Sequence, residues 1–146
     1  NKELPVGPKP CQIVQVGPKF IGDVPRTSFI FMPCFHCDNP WCVPACPTGA
    51  MQIRQKDGIV FVEKDLCVGC KACISACPWG APQWNPETKK VEKCDYCMDR
   101  LDQGLKPACV STCTTGCLSF GRIDKMPQIR REQHAEAVAS LENSSF

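Results

Sequence analysis

Cys67-Val-Gly-Cys70-Lys-Ala-Cys73-Ile-Ser-Ala-Cys77-Pro78 is the stretch that decides how this chain folds. Its cysteines are separated by two, two and three residues, and the last is followed by proline. Two-residue gaps let three thiolates converge from one tight loop onto three irons of a 4Fe-4S cubane. Gly69 permits the turn and leaves backbone amides free to point at sulfur. The fourth thiolate, Cys77, lies past a short helical turn and faces away from that loop. With this spacing, the last cysteine of a run ligates the other cluster of a pair.

A partner run lies upstream. Cys34-Phe-His-Cys37-Asp-Asn-Pro-Trp-Cys42-Val-Pro-Ala-Cys46-Pro47 follows the same plan with two extra residues in its middle gap. Exchange of fourth ligands then predicts a cluster A on Cys34, Cys37, Cys42 and Cys77, and a cluster B on Cys67, Cys70, Cys73 and Cys46. A third run reads Cys94-Asp-Tyr-Cys97, eleven residues, Cys109-Val-Ser-Thr-Cys113, and then Cys117. By the repeat, Cys94, Cys97 and Cys109 hold a cluster C, while Cys113, in the place of Cys77, reaches toward some other cluster. The fourth ligand of cluster C stays open: first a cysteine upstream of this sequence, then Cys11, with Cys113 acting locally and the nearby Cys117 as further candidates.

Working outward, the runs are separated by segments patterned as β-hairpins. Met51 to Arg54, a turn at Lys56-Asp57-Gly58 and Ile59 to Val62 form one; Gln83-Trp84, a turn at Asn85 to Thr88 and Lys90 to Glu92 form the next. Run, hairpin, run, hairpin, run is an internal repeat. Ahead of it, Gln12 to Val16 and Ser28 to Met32 are rich in β-branched and aromatic residues and are separated by Gly-Pro turn signals, which predicts another strand pair. Behind it, Pro127 to Leu141 reads as a helix with Ile129, Val138 and Leu141 as its apolar positions and Arg130-Arg131 on a solvated face.

The expectation is an α+β fold: tandem bacterial-ferredoxin-like cluster-binding modules with short hairpins and short helices, a small hydrophobic core and a C-terminal helix. Residues 1–33 form a strand pair and linker, 34–121 the multi-cluster domain, and 122–146 the helical tail.

Composition agrees. Among 146 residues there are 14 Cys and 14 Pro against one Tyr and seven Phe, so crosslinks, covalent or metal, should do much of the stabilising. The formal net charge is +2, and its Lys and Arg are scattered among acids, which excludes a nucleic-acid stripe. No apolar run approaches the roughly 20 residues needed to span a bilayer, and the expectation is a soluble, peripheral part of a complex, cytoplasmic or periplasmic, without direct membrane insertion. Two histidines, no nucleophile motif and no phosphate loop leave no catalytic constellation, so catalysis is expected on a partner.

Pro33-Cys34-Phe-His36-Cys37-Asp-Asn-Pro40, Cys46-Pro-Thr-Gly-Ala50, Asp65-Leu-Cys67-Val-Gly-Cys70, Ala76-Cys77-Pro78 and Lys93-Cys94-Asp95-Tyr96-Cys97 together resemble the four-cluster ferredoxin-like subunits of the molybdopterin oxidoreductase family. These are the electron-transfer partners of dimethylsulfoxide, polysulfide and nitrite reductases and of formate dehydrogenases. The resemblance runs from about Asn1 to Arg122. Those subunits carry a further four-cysteine block, followed closely by a segment like Asn1-Lys-Glu-Leu-Pro-Val-Gly7, and the sequence given lacks that block. The resemblance implies three 4Fe-4S clusters from the chain as given and four with an upstream block. In the second case Cys113 ligates the first cluster and an upstream cysteine completes cluster C. It also implies a catalytic subunit carrying a molybdenum or tungsten bis-pterin, with a membrane anchor or another redox subunit on the far side.

Two other readings of a cysteine-rich chain stand beside this one. A disulfide scaffold uses the same residue type, and Cys94-x2-Cys97 with Cys109-x3-Cys113 has the look of a four-thiolate zinc site in an interaction module. Trp41, Trp79 and Trp84 flank the cluster loops and are read as shields against water rather than electron stepping-stones. Lys71 is a cation placed to tune a potential. His36 either tunes a cluster by hydrogen bonding, lies near a partner, or is a structural loop residue. Cys11 and Cys117 are read as buried apolar thiols, and His134 as solvated.

Overall fold

The computed structural model describes residues 6–142; the first five positions of the 1–33 segment and the last four of the 122–146 tail lie outside the described residues. The architecture is α+β, with three two-stranded antiparallel sheets and four helices among the described residues.

The first sheet is a long hairpin of β1 (Cys11–Ile21) and β2 (Val24–Pro33). Gln12 stands opposite Met32 and Val16 opposite Ser28, so the two expected strands pair end to end. They also run further than expected. Gly17-Pro18 is not the turn: the register shifts there, between Val16 and Lys19, and Lys19 resumes pairing with Arg26. Proline lacks the ladder N–H and sits naturally in a bulge, and the chain reverses at Gly22-Asp23 instead. Ile13, Phe20 and Phe29 on this hairpin are exposed.

The next two hairpins are short. β3 (Met51–Ile53) pairs with β4 (Val60–Val62), and β5 (Gln83–Asn85) with β6 (Lys90–Glu92), each in the expected place. Side chains brace one against the other: Lys64 Nζ donates to the Val91 carbonyl at 3.3 Å, and Lys90 Nζ to the Lys64 carbonyl at 2.7 Å. Between them lies a one-turn helix, α1 (Ala72–Ala76). The core is small and partly made of thiols. Met51, Val60 and Val91 bury themselves with Cys42 and Cys73, and Val43, Cys46, Val62, Cys67, Ile74 and Trp84 pack around them.

The chain divides into two compact units, one ending at Tyr96 and one beginning at Cys97. In the second, α2 (Met98–Leu101) and α3 (Ala108–Ser111) are single turns, followed by α4 (Met126–Glu142). Pro127 occupies the first turn of α4, where a missing N–H costs nothing. Ile129 reaches back so closely that a Cβ at Gly121 would lie 2.7 Å from its Cδ1. Ser119 Oγ donates to Gln133 Oε1 at 3.0 Å. Arg130, Arg131 and His134 are exposed, as their solvated-face reading requires.

Candidate metal centres

One backbone pattern is written three times. The residue before the second cysteine of each run has positive φ: His36 at 45°, Gly69 at 71° and Tyr96 at 52°. The last cysteine of each run sits in a turn, its N–H bonded three residues back, Cys46 to Val43 at 3.1 Å, Cys77 to Ile74 at 3.3 Å and Cys113 to Val110 at 3.4 Å. A glycine three positions on donates back to that cysteine: Gly49 to Cys46 at 3.3 Å, Gly80 to Cys77 and Gly116 to Cys113 at 3.2 Å. The third cysteine of the second and third runs opens a helix in the same way, Cys73 on α1 and Cys109 on α3.

Cys67, Cys70 and Cys73 line one hollow, and the fourth cysteine in its wall is Cys46, from the other run. Gly69 sets the loop: with φ at 71°, a Cβ there would stand 2.4 Å from the Lys89 carbonyl and 2.8 Å from the Trp84 ring. Lys71 Nζ lies 4.2 Å over that same ring. Backbone amides reach the sulfurs, as in the 3.5 Å bond from Val91 N–H to Cys67 Sγ. For Cys46, burial raises the thiol pKa, but the Thr48 hydroxyl and the amides of Met51, Thr48 and Ala50 outweigh it and bring the net value down. Cys73 is pushed up to about 11, by burial first and then by Cys46, Cys67 and Cys70 around it.

Cys34, Cys37 and Cys42 line a second hollow together with Cys77, again one cysteine from the other run. Trp79 closes it edge-on against Phe35, centroids 5.4 Å apart at 83°, and both Trp41 and Trp79 stand in its wall with one side exposed. Burial, and then Cys34 and Cys77, raise the Cys42 thiol, while Lys93 opposes them. Thiols gathered like this hold their protons until a cation core compensates the charge. Four thiol donors in each hollow suit an iron–sulfur cubane. Among the described residues no three His, Cys, Asp or Glu side chains come close enough for a single ion, whose bonds to sulfur of about 2.3 Å draw its ligands tightly together.

The second hollow has two residues the first lacks. Lys93 is 6 % exposed, and its ammonium donates to the Cys94 carbonyl at 2.6 Å and to the Val60 carbonyl. Among the described residues its hydrogen bonds go to neutral carbonyls alone, a setting that suits a cation beside a site whose thiolates would carry net negative charge. His36 lies in the wall of the same hollow, stacked on Tyr96 with ring centroids 3.9 Å apart. Its Nδ1 accepts the Val60 N–H at 3.0 Å, and its Nε2 is buried without a partner among the described residues. Burial, then Lys93, lower its pKa to about 3.

Of the third run, Cys94 closes the first unit and Cys97, Cys109 and Cys113 belong to the second. Burial pushes Cys94 up to about 11. In the second unit Cys109 is raised by burial first and also feels Cys97 and Cys113. The Thr115 hydroxyl, the Leu118 amide and Cys117 lower Cys113 to about 6, so this thiol is predisposed to ionise. Cys117 is exposed, with its sulfur 3.6 Å from that of Cys113, which corrects its reading as a buried apolar thiol; it ends a tight turn rather than entering the core. Cys11 is half-buried at the base of the long hairpin, opposite Pro33. Lys93 was not singled out from the sequence as a buried cation, and its only local sign is its place directly before Cys94.

The profile of the 4Fe-4S dicluster domain family matches residues 26–123. The protein is 43% identical over 120 residues to the B subunit of the anaerobic dimethyl sulfoxide reductase of Escherichia coli (strain K12), covering 81% of its own length and 56% of that relative. It is 36% identical over 159 residues to the thiosulfate reductase electron transfer subunit PhsB of Salmonella typhi, covering 88% of its own length and 82% of the relative. A formate dehydrogenase iron-sulfur subunit from Haemophilus influenzae is 42% identical over 113 residues, 77% of this protein and 35% of that one. The sequence thus spans little more than half the length of the first of these relatives.

Proposed function

The protein belongs to the 4Fe-4S dicluster domain family, and from that premise we propose that it is the electron-relay subunit of a larger oxidoreductase. It passes single electrons between a molybdenum or tungsten bis-pterin catalytic subunit and a membrane anchor or a further redox subunit. Relatives named as electron transfer and iron-sulfur subunits support this reading. No helix among the described residues is long and apolar enough to cross a membrane, which suits a peripheral place in such a complex.

The observation that carries the proposal is the sharing of thiols: each of two hollows takes three cysteines from one run and one from the other. On that basis cluster A is held by Cys34, Cys37, Cys42 and Cys77, and cluster B by Cys67, Cys70, Cys73 and Cys46. Cluster C is held by Cys94, Cys97 and Cys109, with an upstream cysteine or Cys11 as fourth ligand, and Cys113 serves an upstream cluster or binds locally. Residues 34–121 are the tandem ferredoxin-like portion, with 1–33 and 122–146 flanking it.

A 4Fe-4S cluster, when bound, takes up or gives back one electron with little rearrangement. The rest is the work of the chain. Exchanged cysteines tie the two sites to one rigid turn each, amides and the lysines 71 and 93 set the local field, and the tryptophans restrict water.

Iron and acid-labile sulfide on the anaerobically purified assembly, with EPR during stepwise reduction, test the proposal. About twelve irons for this chain mean three clusters of four, and about sixteen mean a further block upstream. Zinc without iron would overturn it.

A further inference from the structure

We infer that His36 donates a hydrogen bond from Nε2 to the cluster held by Cys34, Cys37, Cys42 and Cys77, and that this bond keeps the potential of that cluster up. The inference rests on the ligand assignment proposed above.

The repeat makes the residue conspicuous. Where the second run places Gly69, the first places His36, at φ 45°. A non-glycine side chain in this left-handed region is strained, so the backbone itself would favour glycine here. Its ring is then fixed from two sides. One face stacks on Tyr96 at 3.9 Å and an interplanar angle of 17°, and Nδ1 accepts the Val60 N–H at 3.0 Å.

That second contact settles the tautomer. A ring nitrogen that accepts a hydrogen bond carries no proton, so the neutral imidazole carries its proton on Nε2. Nε2 is buried and finds no acceptor among the described residues, cysteine sulfurs included. A buried donor left unmatched loses its hydrogen bonds to water and gains none in return. The ring stands in the wall of the hollow that collects the four thiols, and the sulfurs of a cluster there supply the acceptor. Hydrogen bonds to cluster sulfur strengthen as the core gains negative charge, so they favour the reduced form and raise the potential.

The test uses the whole complex, purified anaerobically, with the EPR signal of this cluster identified as the one that Cys42→Ser perturbs. With ¹⁵N-labelled histidine, pulsed EPR of the wild-type complex is expected to show a nitrogen coupling on that signal. Its absence, as when an ordered water takes the proton instead, would overturn the inference without any variant being needed. Two substitutions then separate donor from scaffold. His36→Asn keeps an acceptor near the Nδ1 position and has no donor reaching the Nε2 position; it is expected to shift the one-electron equilibrium about tenfold toward the oxidised form, ~59 mV, at unchanged iron content. His36→Gln keeps an amide donor near the Nε2 position and loses the Val60 contact; it is expected to retain most of the wild-type potential. The reverse pattern would make His36 a support for Val60 alone. Cys77→Ser guards the premise: if it leaves this signal untouched, the ligand assignment has failed; if it alters a signal that carries no nitrogen coupling, only the hydrogen bond has.

Discussion

Cys77 and Cys113 occupy the same place in a repeated turn, yet they stand in different company. Each follows a one-turn helix, each N–H bonds three residues back, and each carbonyl accepts from the glycine three residues on. Cys77 lines a hollow with Cys34, Cys37 and Cys42 from the preceding run. Cys113 has Cys117 at 3.6 Å and Thr115 at 3.4 Å, both from its own turn. Local sequence builds the turn and aims the thiol; the thiols that Cys77 meets in its hollow come from a different run, far away in the chain. The two sites can therefore be pulled apart experimentally.

The largest effect should come from removing the metal. The unit ending at Tyr96 has few buried apolar residues, and Cys42 and Cys73 are among them. Such a core cannot supply the stability of an ordinary domain of this size. Anaerobic chelation is expected to abolish cooperative unfolding, seen by circular dichroism, and to open Lys56 and Lys64 beside the second hairpin to trypsin. An apo protein that still unfolds cooperatively and resists cleavage there would mean that the hairpins stand without their clusters.

Next in size are the exchanged ligands themselves. Cys77→Ser is expected to perturb the signal of the cluster on Cys34, Cys37 and Cys42, with loss of up to about four irons per chain, and to spare the one on Cys67, Cys70 and Cys73. Cys113→Ser is expected to leave both signals intact. If Cys77→Ser instead altered only the cluster of its own run, the turn would be closing locally and the contrast between the two cysteines would disappear.

Sequence spacing carried much of this. Gaps of two, two and three residues followed by Cys-Pro imply a turn of known shape, and the hairpins at Met51–Val62 and Gln83–Glu92 follow from alternation and turn residues. The long hairpin was legible only in its centre. Gly17-Pro18 has the composition of a turn, and nothing local distinguishes it from the bulge it forms, because that choice depends on the pairing of Lys19 with Arg26 across the ladder. Lys93 and His36 were less legible still. What makes them notable is burial and the presence or absence of a partner, and both depend on Val60, which is 33 residues from Lys93 and 24 from His36 along the chain.

A smaller effect is expected from Gly69→Ala. Left-handed backbone at an alanine costs of order 1–3 kcal/mol, and the new methyl would press on the Lys89 carbonyl and on Trp84. The denaturation midpoint should fall, and the cluster of the second run should be lost to oxygen sooner than that of the first. Equal loss from both would mean that the turns are coupled more tightly than their separate hollows suggest.

The smallest effect is expected from Cys117→Ala, and it bears directly on how the third turn differs from the others. Cys46-Pro-Thr-Gly-Ala50 and Cys77-Pro-Trp-Gly-Ala81 both end in alanine, whereas Cys113-Thr-Thr-Gly-Cys117 ends in a second thiol. Alanine therefore suits this turn. Cys117 is exposed and accepts a 3.2 Å hydrogen bond from the Thr115 hydroxyl, so truncation removes a surface contact and leaves no cavity. Stability should change by no more than about 0.5 kcal/mol, and iron per chain should stay constant. If iron fell by about four, Cys117 would be the local fourth ligand of the third cluster, and the third turn would differ from the first two by completing its site without a partner run.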